Sequence, residues 1–261
     1  HNRRWDMSSK DKLRKFRENE GFKCLIQPST DDVLFKDFEL KGRWNSSFFK
    51  NNNPIVLELG CGKGEYTIEL AKLYPQKNFI GIDLKGARLW KGAKYATENS
   101  MPNVAFIRTR IDFIESLFAP GEIDEIWITF PDPQIKKARK RLTGSMFLNH
   151  YNNILSHSGA INLKTDSRFL HEYTKALCMA NNFKVEVCDN NIYKNLVTDC
   201  NNSILSIKTF YEAHYLKNGL AITYIRFATG GKMAVEPKWD EEFWEKEESK
   251  GRENVLKNKG A

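Results

Sequence analysis

The chain has 261 residues, 41% of them apolar and 28% charged, which supplies a sizeable core and is typical of a globular chain that dissolves in water. No apolar run approaches the ~18 residues of a spanning helix, and five dispersed cysteines without a C-x-x-C pair, beside five scattered histidines, predict reduced thiols in a cytoplasmic protein with no membrane partner and no metal site. The formal net charge is +8, and residues 231–261 hold eight acids against seven bases, so the excess lies in the first 230 residues and predicts an anionic partner, nucleic acid first.

In chain order, residues 1–50 read as a basic arm, partly helical, with Lys10, Lys12, Arg14, Lys15 and Arg17 ahead of Phe35 and Phe38. The turn Asn51-Asn52-Asn53-Pro54 opens a domain predicted over 51–230. Apolar strands are expected at 55–59, 78–83, 104–107, 123–130, 159–164, 183–187 and 221–227, and helices at 66–73, 87–99, 146–155 and 169–180. Strands alternating with amphipathic helices give an α/β fold, a Rossmann-like doubly wound, mostly parallel seven-stranded sheet. A polar tail, 231–261, carries Trp239, Phe243 and Trp244 among Glu and Lys. Its composition suits a surface helix and an unstructured segment equally.

Leu57-Glu58-Leu59-Gly60-Cys61-Gly62-Lys63-Gly64 is a strand running into glycines ahead of a helix, the place where open α/β sheets bind ligands. Glycine suits a backbone that must turn sharply and let a ligand approach. A dinucleotide fingerprint needs its third glycine one residue later, where Glu65 stands, and Glu58 is unfavourable beside a pyrophosphate. S-adenosylmethionine carries an ammonium and a sulfonium, which a carboxylate near the loop attracts. Asp83, at the end of the next strand, is placed to accept ribose hydroxyls. Gly60, Gly62, Gly64, Glu58 and Asp83 are thus the candidate cofactor residues, and Cys61 reads as a small filler in the loop.

The strand at 123–130 delivers Pro131-Asp132-Pro133, a carboxylate in a loop stiffened by two prolines. Enzymes that methylate exocyclic amines often carry an aromatic after such prolines, and here Gln134 follows. N7 of guanine has a lone pair and no proton to remove, so its methylation needs alignment more than a general base. Asp132 can accept from the N1–H and N2–H edge of a guanine and is the candidate catalytic residue. Lys136, Lys137, Arg139, Lys140 and Arg141 follow at once, a basic run suited to RNA phosphates.

The glycine loop, Gly81-Ile82-Asp83, Phe130-Pro131-Asp132-Pro133, the basic run to Arg141-Leu142-Thr143, Lys164-Thr165-Asp166 and Thr209-Phe210-Tyr211-Glu212 together resemble the bacterial tRNA (guanine-N7)-methyltransferase family over roughly residues 50–228. The resemblance implies a class I methyltransferase fold, S-adenosylmethionine as donor and the variable-loop guanosine of tRNA, conventional position 46, as acceptor. It implies substrate contacts from Lys136, Asp166, Thr209 and Glu212, and an adenine-side position at Arg110. Two positions depart from the family pattern: Gln134 replaces a tryptophan, and Arg110 stands where an Asp or Asn is usual, with Asp112 two residues on. Three other readings share parts of this pattern: a methyltransferase for another RNA site or a small molecule, an NAD-dependent oxidoreductase, and a non-catalytic RNA-binding subunit. The oligomer is expected to be a monomer or homodimer.

Overall fold

A computed structural model describes residues 2–195 and 210–259 of the chain. The chain divides into two compact units, the first ending at Ile123 and the second starting at Asp124.

The first unit opens with helix α1 (Asn2–Glu20), the two-residue strand β1 (Leu25–Ile26), α2 (Thr30–Val33) and a π-helical turn, Trp44–Phe49. There follow β2 (Ile55–Leu59), α3 (Glu65–Leu73), β3 (Asn78–Asp83), α4 (Gly86–Glu98), β4 (Val104–Arg108) and α5 (Ile114–Leu117). The strands lie in the order β1-β4-β3-β2, and each pair with a described register is parallel. All five residues of β2 are buried, as expected of a parallel strand covered on both faces. Trp44 is fully buried and its indole N–H donates to the Leu117 carbonyl (2.9 Å), so the segment before β2 contributes to this unit's core.

The N-terminal basic stretch is helical. Its inner edge packs on α4: Asn19 Nδ2 donates to the Gly86 carbonyl (2.9 Å), and the ring of Trp90 is flanked by Arg14 and Lys15.

The second unit begins on β5 (Ile123–Thr129) and continues through α6 (Ser145–Asn152), β6 (Leu155–Thr165), α7 (Arg168–Ala180), β7 (Lys184–Asp189) and α8 (Ile192–Asn195). It ends with α9 (Phe210–Lys217), β8 (Thr223–Ala228) and α10 (Glu241–Lys259). Its strand order is β5-β6-β8-β7. β8 inserts antiparallel between β6 and β7, pairing Leu163 with Ile225 on one side and Cys188 with Ile225 on the other.

Eight strands are described where seven were expected. The additional one, β1, is too short to show an alternating pattern, and it exists because the Phe106 amide donates to the Cys24 carbonyl (2.7 Å). The tail is built as a strap and a helix. Asn149 and Asn181 hold residues 234 and 235 by paired side-chain bonds to the backbone, and Trp239 packs edge-on against Phe169 and Tyr173 before α10 starts. Among the described residues no helix is long and apolar enough to cross a membrane.

Candidate active site

The glycine loop belongs to the first unit. After β2 the chain reverses, with the amides of Gly60 and Cys61 both donating to the Ile82 carbonyl (2.8 and 3.0 Å). Gly60, Gly62 and Gly64 all take positive φ, at 72°, 57° and 75°, a region in which a Cβ is disfavoured. A Cβ on Gly60 or Gly62 would meet nothing within 4 Å, whereas one on Gly64 would strike the Phe106 ring at 2.6 Å. The first two therefore leave space above the loop for a ligand. The third lets α3 close down on β4.

Glu58 is a charged residue in the middle of a buried strand. Its Oε1 accepts from both the amide and the hydroxyl of Thr67 (3.1 and 2.6 Å), so the carboxylate sits at the third residue of α3 and complements that helix's N-terminal dipole. Glu58 pairs in register with Gly81, and a Cβ at Gly81 would come within 2.9 Å of Thr67 Oγ1 and of Cys61 Sγ. The bare backbone at Gly81 is what gives Thr67 room to reach Glu58.

Asp83 reaches back to the loop. Its Oδ2 accepts from the Gly62 amide (2.9 Å) and its Oδ1 from the Lys85 amide (2.9 Å). An ionised carboxylate offers about four acceptor positions, so acceptor capacity for two ribose hydroxyls remains. Burial pushes the Cys61 thiol well above its ordinary range, and the charges of Glu58 and Asp83 push it further. It stays protonated, as a filler would. Arg110 is exposed and turned onto its neighbour, pairing with Asp112 through Nη2 (3.2 Å). The residue before it, Thr109, donates its amide to the Asp83 carbonyl (3.1 Å).

The acceptor residues belong to the second unit. β5 ends at Thr129, and the loop that follows is bent by left-handed backbone at Phe130 and Gln134 (φ 49° and 51°). Asp132 is exposed, and its Oδ1 accepts from the Gln134 amide two residues on (3.0 Å), an Asx-turn that fixes the carboxylate relative to its loop. Lys136 is exposed and pairs with Glu245 of α10 (3.1 Å). Lys137, Arg139 and Lys140 are exposed, and no ion pair engages them among the described residues.

Arg141 departs from the reading as an RNA contact. It is buried, with Nε donating to the Gln134 carbonyl (3.1 Å), Nη2 to the Ile135 carbonyl (2.8 Å), and Nη2 also to Glu241 (3.2 Å). Its guanidinium lies 4.8 and 4.5 Å from the ring centres of Phe169 and Tyr173. A group so enclosed is not presented to a phosphate.

Glu212 is also buried, in an ion pair with Lys164 (2.7 Å) in which neither side chain is exposed. The Tyr193 hydroxyl donates to the same carboxylate oxygen (2.5 Å). Burial raises the Tyr193 hydroxyl pKa, and its bond to Glu212 adds to the shift. Tyr193 is a member of this cluster that sequence reasoning missed, and Lys164 figured in that reasoning only as part of the Lys164-Thr165-Asp166 motif, with no role assigned. A lysine closing the apolar run of β6 was the available signal, because a buried ammonium needs a partner. Asp166 is half-buried beside this cluster, and the cap of α7 is the next residue, Ser167, whose Oγ accepts from the Leu170 amide (3.1 Å). Thr209 lies outside the described residues.

Residues 52–225 match a family model described as "Putative methyltransferase". A protein of Christiangramia forsetii named tRNA (guanine-N(7)-)-methyltransferase is 55% identical over 223 residues, which is 85% of this chain and 99% of the relative. The chain belongs to the bacterial tRNA (guanine-N7)-methyltransferase family. Proteins carrying the same name in Porphyromonas gingivalis (54% identical, covering 74% of this chain and 78% of the relative) and Bacteroides fragilis (47%, covering 84% and 85%) agree. Among solved structures, an antibiotic-related methyltransferase superposes with a TM-score of 0.52 at 16% identity, covering 74% of this chain and 95% of the other. A 16S rRNA methyltransferase also reaches 0.52, at 11% identity, covering 74% and 92%. These two share the fold: the α/β, mostly parallel sheet of class I methyltransferases, as expected for this family.

Proposed function

We propose that this protein transfers the methyl group of S-adenosylmethionine to N7 of a guanosine in tRNA, and that the target lies in the variable loop. The single observation that carries the reading is the 55% identity extending over 99% of a relative that bears this activity in its name. The glycine cradle suits the cofactor on its own terms. It leaves room above Gly60 and Gly62, and it sets the carboxylate of Asp83 at the loop's edge, matching a cationic ligand with ribose hydroxyls.

When bound, S-adenosylmethionine supplies an electrophilic methyl carbon. Asp83 accepts hydrogen bonds from the ribose while keeping the Gly62 amide in place. Glu58 acts from below, holding α3 against the loop through Thr67. Arg110 marks the adenine side. Asp132 orients the guanine by accepting from its N1–H and N2–H edge, so no proton needs to leave N7 and no general base is required. Lys136, Asp166, Thr209 and Glu212 hold the nucleoside and its surroundings, Glu212 as part of the buried pair with Lys164. Lys137, Arg139 and Lys140 attract the RNA backbone. A basic arm over 1–50, a methyltransferase domain over 51–230 and a polar tail over 231–261 form the proposed organisation, in a cytoplasmic monomer or homodimer.

The test is transfer of labelled methyl from S-adenosylmethionine to bulk tRNA, followed by digestion and identification of the nucleoside. N7-methylguanosine is the expected product. Label in another nucleoside would remove the guanine role of Asp132, and cofactor binding without label in tRNA would point to a different acceptor.

A further inference from the structure

Two residues with side chains stand in the left-handed region on either side of Asp132: Phe130 at φ 49° and Gln134 at 51°. Such residues relax to another region unless their surroundings hold them. Phe130 is held by its amide, which donates to the Lys164 carbonyl (2.8 Å). Gln134 is held from both ends. Its amide donates to Asp132 Oδ1 (3.0 Å), and its carbonyl accepts from the Lys137 amide (3.0 Å) and from Arg141 Nε (3.1 Å). Arg141 grips the next carbonyl as well, through Nη2 to Ile135 (2.8 Å), and reaches Glu241 of α10 with the same nitrogen (3.2 Å). Phe169 and Tyr173 of α7 pack on the guanidinium.

We propose that Arg141 is the positioning residue of the acceptor loop. It keeps Gln134 left-handed, so that the Asx-turn closes and Asp132 presents its carboxylate in one place, and Glu241 of α10 holds the guanidinium in that pose. The assignment rests on Asp132 being the group that orients the guanine. Arginine suits the task because its planar fork can engage two successive carbonyls at once, whereas a lysine ammonium is a point donor on a flexible stem. Burial separates Arg141 from Lys137, Arg139 and Lys140, which stay at the surface. One basic run thus divides its work between shaping the loop and attracting RNA.

The test compares the full-length wild type with Arg141→Lys and Glu241→Gln in three measurements: methyl transfer to tRNA, tRNA affinity across a salt series, and amide hydrogen exchange over residues 131–140. Arg141→Lys is expected to lower kcat at least tenfold, to leave tRNA Kd within twofold with an unchanged salt slope, and to speed exchange at the Gln134 and Lys137 amides. Glu241→Gln is expected to act in the same direction by about threefold. In a third variant, Arg141→Gln, which removes the charge, weaker tRNA binding with a salt slope reduced by roughly 0.7–0.9 would make Arg141 a phosphate contact and overturn the proposal. So would an unchanged kcat in a variant whose loop amides exchange faster. Should Arg141→Lys fail to fold, Glu241→Gln decides, because it leaves both carbonyl bonds available; normal turnover and normal exchange in that variant overturn the assignment. A wild type that methylates no tRNA defeats the proposed function, and loop exchange in the variants still supports or defeats the clamp.

Discussion

Asp132 and Asp83 are both carboxylates tied to backbone amides, Asp132 by one oxygen and Asp83 by both, and they are expected to fail in different ways when removed. Asp132 holds only its own turn, so Asp132→Ala leaves the cofactor cradle intact and removes the group that aligns the base. Misalignment of this kind costs about 10²-fold in rate, and tRNA affinity, which the phosphates dominate, should change little. Steady-state kinetics at saturating tRNA decides this; a normal kcat would remove Asp132 from the reaction. Asp83 bonds the Gly62 and Lys85 amides, so Asp83→Ala loses ligand acceptors and loosens the loop together. Hydrogen bonds to a charged group are worth about 1.5–3 kcal/mol, which corresponds to a rise of roughly 10- to 100-fold in the Kd for S-adenosylmethionine. Titration calorimetry on the free protein measures it. Both aspartates were legible in the sequence through local signals, Asp83 because it closes an apolar strand and Asp132 because it lies between two prolines just beyond one. The burial of Arg141 was not, since charge runs do not reveal which member turns inward. Its partners include Glu241, 100 positions away.

At the scale of elements, the buried Lys164–Glu212 pair ties the end of β6 to α9 and, through Tyr193, to α8. Removing one member of a fully buried pair leaves an uncompensated charge, at a cost of about 3–5 kcal/mol. Glu212→Ala should therefore lower the unfolding free energy by about that amount, as well as impair any substrate contact. Glu212→Ala combined with Lys164→Met, which removes both charges, should recover much of the stability but not the activity. Denaturant unfolding of the single and double variants tests this, and a single variant as stable as the wild type would show that the pair contributes nothing. Sequence periodicity placed α7 well, because it shows a clean amphipathic face, but it caught only 159–164 of β6, since the strand's first residues, Leu155 to Ser158, are mostly polar. It missed β1, whose two residues, Leu25 and Ile26, gain their strand character only from β4. It was also silent on β8 entering antiparallel between β6 and β7, since order within a sheet is set by crossover packing rather than by local pattern.

For the molecule as a whole, two titrations separate stability from recognition. His171 of α7 is buried, and burial lowers its pKa below the usual 6.5. Above pH 6.5 the ring is neutral in folded and unfolded chains alike. As pH falls through 6.5 the unfolded chain takes the proton first, so stability declines until the folded-state pKa is passed and then levels. Melting temperatures measured from pH 7.5 downward should show this decline, and His171→Gln should flatten it; an identical slope in that variant would assign the decline to other groups. Recognition responds instead to salt. The surface cations Lys137, Arg139 and Lys140 each release counterions if they meet a phosphate, contributing roughly 0.7–0.9 to the slope of log affinity against log salt. Replacing all three with glutamine should flatten that slope by roughly 2–3, weaken binding to every tRNA alike, and leave S-adenosylmethionine affinity untouched. A slope equal to that of the wild type would take this run out of the RNA interface. The net charge of +8 would then have to act through other surfaces.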